Sequence, residues 1–328
     1  MWGCSNDDLP DNLQDSNQVA LSLYPQIATD VTVTSRAPIF GIDFPSGSNG
    51  ALVYYDFGVW VCSHEDNPVN FIPEKSGYNH LHAKMSVSGS GDDIQRDIRF
   101  YFRDRAATTL NVARNKPVDI YSYYPMHTDT ESYKLLPDSV PFTSGETDWM
   151  WADKIDLKGS ELNDSVKSIT INYSHAMTCL RIYVSALYSS SSVTSITLND
   201  TKGRLYRKGS MNLAKKELVL SDDDKTANLP ISYNNRVIGK SKTAFYIIMP
   251  PVESFSENEM SLSFKINNIQ VPTTFTIPTK MDNGNVVNGF EQGKCYTYSL
   301  TVDNTISFSP VAVDESGNWT ENNFDFEL

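Results

Sequence analysis

The chain has 328 residues, 40% of them apolar, and 27 Lys and Arg set against 40 Asp and Glu leave a formal net charge of −13. One hydrophobic core stops growing at roughly 250–300 residues, so two domains of about 150 residues each are expected. The negative charge and the absence of a Lys/Arg run exclude nucleic acid as a partner, and no apolar stretch is long enough for a membrane-spanning helix.

The chain opens Met1-Trp2-Gly3-Cys4-Ser5-Asn6-Asp7-Asp8 and stays polar to Gln18, so residues 1–18 read as a tether. A small residue before Cys4, with Ser and acids after it, resembles the end of a bacterial lipoprotein signal and the surface-export signal of Bacteroidales lipoproteins. That resemblance implies lipidation at Cys4 and an outer-membrane anchor. No charged n-region or apolar h-region precedes Gly3, so the sequence is expected to begin inside a longer precursor. Residues 32–37 are polar and end before Pro38, which predicts an accessible loop around Arg36-Ala37.

From there to the C-terminus the apolar pattern has period two, the signature of half-buried strands. Ile98, Phe100 and Phe102 alternate with Asp97, Arg99, Tyr101 and Arg103, Leu180, Ile182 and Val184 with Cys179, Arg181 and Tyr183, and Met260, Leu262, Phe264 and Ile266 with Ser and Lys. Tyr296, Tyr298 and Leu300 continue the pattern, and further strands are expected at 51–62, 118–124, 166–173, 193–198, 244–249, 273–277 and 306–313. Clusters of Gly, Pro, Asn and Ser separate the strands, and no long amphipathic helix intervenes. The expected class is therefore all-β, built as two tandem antiparallel β-sandwiches with little helix. A short helix is expected near 211–218. The least patterned interior stretch, 153–165, follows Trp149-Met150-Trp151 and sets the expected boundary, giving domains 19–158 and 159–328, the second with a C-terminal strand extension.

Motifs for catalysis are missing from the sequence: it holds no G-x-S-x-G, H-E-x-x-H, P-loop or G-x-G-x-x-G. No catalytic residue, metal ligand set or cofactor is expected, and the protein is not expected to be an enzyme. His80 and His82 project from one side of a strand but lack an identifiable third ligand. His175, among alternating residues, reads as a turn or core histidine. The cysteines at 4, 62, 179 and 295 lie more than fifty residues apart without a C-x-x-C pair, which argues against zinc, and the last three read as small buried thiols.

Several segments, in order, resemble the fimbrillin family of Bacteroidales, the pilins and surface adhesins of type V pili. They are Thr34-Ser35-Arg36-Ala37, Val118-Asp119-Ile120-Tyr121-Ser122-Tyr123-Tyr124-Pro125 and Asp148-Trp149-Met150-Trp151-Ala152, then the strand, His175-Ala176-Met177 turn and strand of 166–184. Phe245-Tyr246-Ile247-Ile248-Met249-Pro250, the Gly293-Lys294-Cys295-Tyr296-Thr297-Tyr298 strand and a late Trp319 complete the set. The resemblance implies two transthyretin-like sandwiches, an outer-membrane lipoprotein exposed on the cell surface in a fimbrium, and partners that are other pilin subunits and host or bacterial surface ligands. It also implies processing between Arg36 and Ala37 by an Arg-specific protease, with loss of the first strand. The C-terminal stretch, where Ile306, Phe308, Phe324 and Phe326 alternate with polar residues, is then the donor strand for another subunit. Asp138-Ser139-Val140 and Asp164-Ser165-Val166 resemble O-glycosylation acceptors of the same bacteria. The rival expectation is a monomeric glycan-binding surface lipoprotein that uses exposed Trp60, Trp149 and Trp151 as its platform; an all-β hydrolase with a pocket of converging titratable groups is a third.

Overall fold

The computed structural model describes residues 18–27, 50–63, 80–89, 93–101, 106–127, 135–164, 166–186, 191–267, 269–270, 274–279, 286–302, 306–308 and 312–314. Among the described residues there is no α-helix, only strands and single 3-10 turns such as Gly159–Glu161 and Asp222–Asp224, so the chain is all-β as its periodicity predicts.

The strands of the first half are β1 (Gln18–Ile27), β2 (Val53–Ser63), β3 (Leu81–Ser88), β4 (Gln95–Tyr101), β5 (Ala106–Ala107), β6 (Leu110–Ala113), β7 (Val118–Tyr124), β8 (Val140–Thr143), β9 (Met150–Ala152), β10 (Ile155–Leu157) and β11 (Val166–His175). All but β8 join one sheet in the order β5-β4-β3-β2-β7-β9-β11-β1-β6, with β10 added on β7. Its inward side chains, among them Leu21, Phe57, Met85, Ile120 and Tyr173, form one core, and apart from Leu162 every buried member comes from the sheet's own strands. A core lined almost wholly by one sheet's own strands requires that sheet to wrap around it, as wide twisted sheets of about ten strands tend to do. β3 keeps a strict alternation, with Leu81, Ala83, Met85 and Val87 inside and His82, Lys84, Ser86 and Ser88 outside.

The second half contains β12 (Thr178–Ala186), β13 (Ser191–Asp200), β14 (Leu205–Tyr206), β15 (Lys208–Asn212), β16 (Glu217–Val219), β17 (Lys225–Thr226), β18 (Asn228–Ile238), β19 (Thr243–Met249), β20 (Met260–Ile266), β21 (Ile269–Gln270), β22 (Phe275–Thr276), β23 (Cys295–Val302), β24 (Ile306–Phe308) and β25 (Ala312–Asp314). Two five-stranded sheets face each other here, β19-β12-β23-β24 with β25 on β23, and β18-β13-β20-β21 with β22 on β20. Ile182, Phe245 and Tyr298 from the first pack with Ile196, Leu229 and Phe264 from the second.

Four features depart from the sequence expectation. The helix expected at 211–218 is the hairpin of β15 and β16, in which Met211 pairs with Leu218. Met211 and Leu213, two residues apart, are both buried, and this period-two burial overrides the helical propensity of Leu213-Ala214-Lys215-Lys216. The ladders are not all antiparallel, because β1 pairs with β11 and β12 with β23 in parallel. Both pairs join strands far apart in sequence, which leaves ample chain for the crossover a parallel pair requires. The strand β11, which lies beyond 158 and so within the second expected domain, is hydrogen-bonded into the first sheet between β9 and β1.

Finally, Trp60, Trp149 and Trp151 are 0, 6 and 0% exposed, so these three indoles do not form the exposed platform expected for a glycan-binding surface. The indoles belong to a third core between the halves. There Trp60, Tyr121, Tyr123 and Trp151 on the outer face of the first sheet meet Met177, Cys179, Met211, Tyr246, Ile248 and Cys295. Trp60 Nε1 donates to Leu135 O at 3.2 Å and Trp149 Nε1 to Thr143 O at 3.1 Å, which satisfies both buried donors. β7 and β12 consequently bury both faces, where half-buried strands were expected. At Gly58 an added Cβ would lie 2.1 Å from Tyr123 Cε1, so the Tyr123 ring packs directly on bare backbone.

Candidate assembly site

Of the expected site residues, Cys4, Arg36, Ala37, Phe324 and Phe326 lie outside the described residues. The described residues do contain the strands flanking them, β1 before Arg36 and β24 and β25 toward the C-terminus.

β1 reads Gln18-Val19-Ala20-Leu21-Ser22-Leu23-Tyr24, an alternation that fixes which face turns inward. Val19, Leu21 and Leu23 are 0% exposed, whereas Tyr24 is 53% exposed. The strand is held on both edges. Eight residues from Ala20 to Ile27 run parallel to β11, with Leu23 beside Ile169 and Ile27 beside Tyr173, and four from Gln18 to Leu21 run antiparallel to β6, with Val19 opposite Val112 and Leu21 opposite Leu110. Gln26 Nε2 donates to Asn172 Oδ1 at 2.6 Å, and the Arg114 guanidinium donates to the carbonyls of Gln18 and Asn163 across the start of the strand. Beyond Leu21 the antiparallel ladder with β6 ends. A cavity of about 310 Å³ opens there, between Leu23, Tyr24 and Pro25 of β1 and Met85, Arg96 and Ile98 of β3 and β4. Removing β1 would strip one partner from β11 and one from β6, and would leave the apolar wall formed by Leu110, Val112, Ile169 and Ile171 open.

Toward the other end of the chain, β24 and β25 both lie antiparallel on the far edge of β23, with Ile306 opposite Val302, Phe308 opposite Leu300, and Asp314 opposite Cys295. The C-terminal strands thus occupy a sheet border, while β1 occupies a sheet interior.

Several buried polar groups sit around the core between the halves. His175 Nδ1 and Asp148 Oδ1 are 2.9 Å apart with both side chains 1% exposed, a core pair of the kind expected for His175. His80 and His82 serve different neighbours: His80 Nε2 lies 2.9 Å from Tyr123 Oη and stacks on Trp60, whereas His82 Nε2 lies 2.5 Å from Asp56 Oδ1 and stacks on Tyr101. Among the described residues, no group of three or more His, Cys, Asp or Glu is arranged to hold a metal ion. Asp119, 1% exposed, forms an ion pair with Lys154 at 2.7 Å. Burial, reinforced by the Asp119 carboxylate, pushes the Cys62 thiol up to about 12. Burial likewise raises the Tyr124 phenol, with the Asp148 carboxylate adding to it. These shifts come first from desolvation, the behaviour of groups packed for structure.

The junction core was missed by the sequence reading, although a signal for it was present. Trp60, Tyr121, Tyr123 and Trp151 hold the alternate positions of strands whose other face is also apolar, and bulky aromatics on both faces imply burial of both.

Comparison with known proteins follows the same architecture. No curated protein sequence matches the chain. Among solved structures, a candidate cell adhesion protein from Bacteroides uniformis superposes with a TM-score of 0.54 at 14% identity, covering 94% of this chain and 100% of that one. One from Bacteroides ovatus gives 0.52 at 18% identity, covering 89% and 96%, and one from Bacteroides fragilis gives 0.51 at 11%, covering 94% and 100%. At such identities the likeness concerns the fold. The family profile described as fimbrillin-like matches residues 102–316, more than half of the chain, and the chain belongs to the fimbrillin-like family.

Proposed function

We propose that this chain is a structural subunit or adhesin of a cell-surface fimbrium, anchored in the outer membrane through an acylated Cys4 and joined to its neighbours by strand exchange. Its partners would be other copies of the subunit and ligands on host or bacterial surfaces, and it performs no reaction of its own. We further propose two sandwich units, with β11 grouped with the first.

The observation that carries the reading is the interior place of β1. A strand at the N-terminal side of Arg36, paired on both edges and packed through Val19, Leu21 and Leu23, is one whose removal leaves unpaired backbone and an apolar groove at once. Each unpaired buried donor or acceptor costs about 1–3 kcal/mol, so an incoming strand of alternating apolar residues is bound strongly. Ile306 and Phe308, and Phe324 and Phe326, alternate with polar residues in sequence, and the backbone of Ile306–Phe308 and Ala312–Asp314 lies on a sheet border. Cleavage between Arg36 and Ala37 would release residues 1–36, the acylated Cys4 and β1 included, so that the anchor holds the precursor until it is cut and the C-terminal stretch of another copy takes the place of β1.

The test is to digest the purified chain with an Arg-specific protease and examine the product by electron microscopy. Wild type is expected to lose its N-terminal segment and then form filaments, while Arg36→Ala is expected to do neither. Filaments formed equally well by the variant would refute the mechanism.

A further inference from the structure

The register of one parallel ladder places two thiols side by side. Cys179 on β12 stands directly opposite Cys295 on β23. Both are fully buried and both face the core between the halves, whereas the next residues along each strand, Leu180 and Tyr296, face the core of the second sandwich. Directly opposed residues that share a face are nearest neighbours, and the strand spacing of about 4.8 Å falls within the roughly 4.4–6.8 Å between Cα atoms that a disulfide spans. Cys62 has no such neighbour in its register, since Asp119 stands opposite it on β7.

We propose that Cys179 and Cys295 form an intramolecular disulfide when the chain folds in the presence of a disulfide oxidant. One thiolate attacks a sulfur of the oxidant, giving a mixed disulfide and releasing one thiol. The second thiolate then attacks the protein sulfur of that mixed disulfide and releases the other thiol. Two protein thiols lose two electrons and two protons, and the oxidant's disulfide gains them as two thiols.

The bond belongs to the folding chain, not to the finished one. Once folded, burial raises the Cys179 thiol well above its ordinary value, the Cys295 sulfur adds to this, and the Arg181 guanidinium opposes it without reversing it. Little thiolate remains to exchange, and the pair is kept in whichever state it entered. β23 carries β24 and β25 on its other edge, with Asp314 opposite Cys295 itself. The cross-link therefore ties the strand that supports the C-terminal ladder to the middle of its sheet. This inference does not depend on how subunits assemble.

To test it, the full chain is synthesised with glutathione disulfide present, unfolded in urea with iodoacetamide and no reductant, digested, and analysed by mass spectrometry. The expected result is a linked peptide pair carrying Cys179 and Cys295, lighter by two hydrogens than the separate peptides, with Cys62 alkylated. The link is absent in Cys295→Ser. In parallel, the urea midpoint of the wild type is expected to fall on addition of dithiothreitol, and that of the Cys179→Ser/Cys295→Ser double variant to stay fixed. Alkylation of both Cys179 and Cys295, a link through Cys62 or Cys4, or a wild-type midpoint indifferent to reductant overturns the proposal.

Discussion

Replacing Leu21 with Ala probes whether β1 is part of the first core or an appendage on it. Leu21 is 0% exposed and lies opposite Leu110 on β6 and beside Lys167 on β11. The substitution removes three carbons from a dry interior, worth about 2.4 kcal/mol at roughly 0.8 per methylene. Ladders on both edges of the strand limit how far the walls can relax, so a cavity of roughly 40–80 Å³ persists and adds about 1–2 kcal/mol. The expected loss is about 3.5–4.5 kcal/mol, read as a lower urea midpoint at unchanged m-value in equilibrium unfolding followed by tryptophan fluorescence. Tyr24→Ala, on the outward face of the same strand at 53% exposure, is the matched control and is expected to cost within about 0.5 kcal/mol. If the two variants lose the same amount, β1 does not plug the core and the groove argument fails with it.

Asp200 anchors Arg204, which donates to both of its carboxylate oxygens, at 2.7 and 3.0 Å, and to Glu259. Burial alone would raise the Asp200 carboxyl, but the bonds from Arg204 and from the Lys202 and Arg204 backbone outweigh it and hold the group below its ordinary value of 3.8. A depressed folded value stabilises above that pH and is lost as pH falls through the folded value. Asp200→Asn is therefore expected to lose about 1.5–3 kcal/mol at neutral pH and to flatten the decline in stability below pH ~4, checked by urea titrations across pH. Cys62, with its thiol near 12, is expected to resist iodoacetamide at pH ~8 in the folded protein and to react at once in urea, followed by mass spectrometry. Gly58→Ala, which drives a methyl into the Tyr123 ring, is expected to cost about 1–3 kcal/mol in the same unfolding assay. Ser139 is exposed, in the turn before β8, and added hexose on its tryptic peptide is the expected mass signature of modification at Asp138-Ser139-Val140.

The strands were legible because side-chain period is a local property. Phe245-Tyr246-Ile247-Ile248-Met249 or Met260, Leu262 and Phe264 can only present their apolar groups on a pleat, and the structure forms β19 and β20 there. The polar breaks between them dictated the all-β class in the same way. Partner choice was not local. Nothing in Gln18–Ile27 specifies a parallel seat beside Val166–His175, nearly half the chain away, because pairing depends on which edges remain free once nearer strands have paired. The Trp residues make the same point: the rival expectation put Trp60, Trp149 and Trp151 on the surface, whereas they are covered in the core shared by the first sheet and the second half of the chain. The helix expected at 211–218 yielded to a hairpin because Met211 and Leu213 gain more from joining that junction than the intervening residues gain from helical propensity. The sequence determined which residues must be buried and with what period. Only the tertiary structure decided against whom, since burial is satisfied by any apolar neighbour and the neighbour is set by topology.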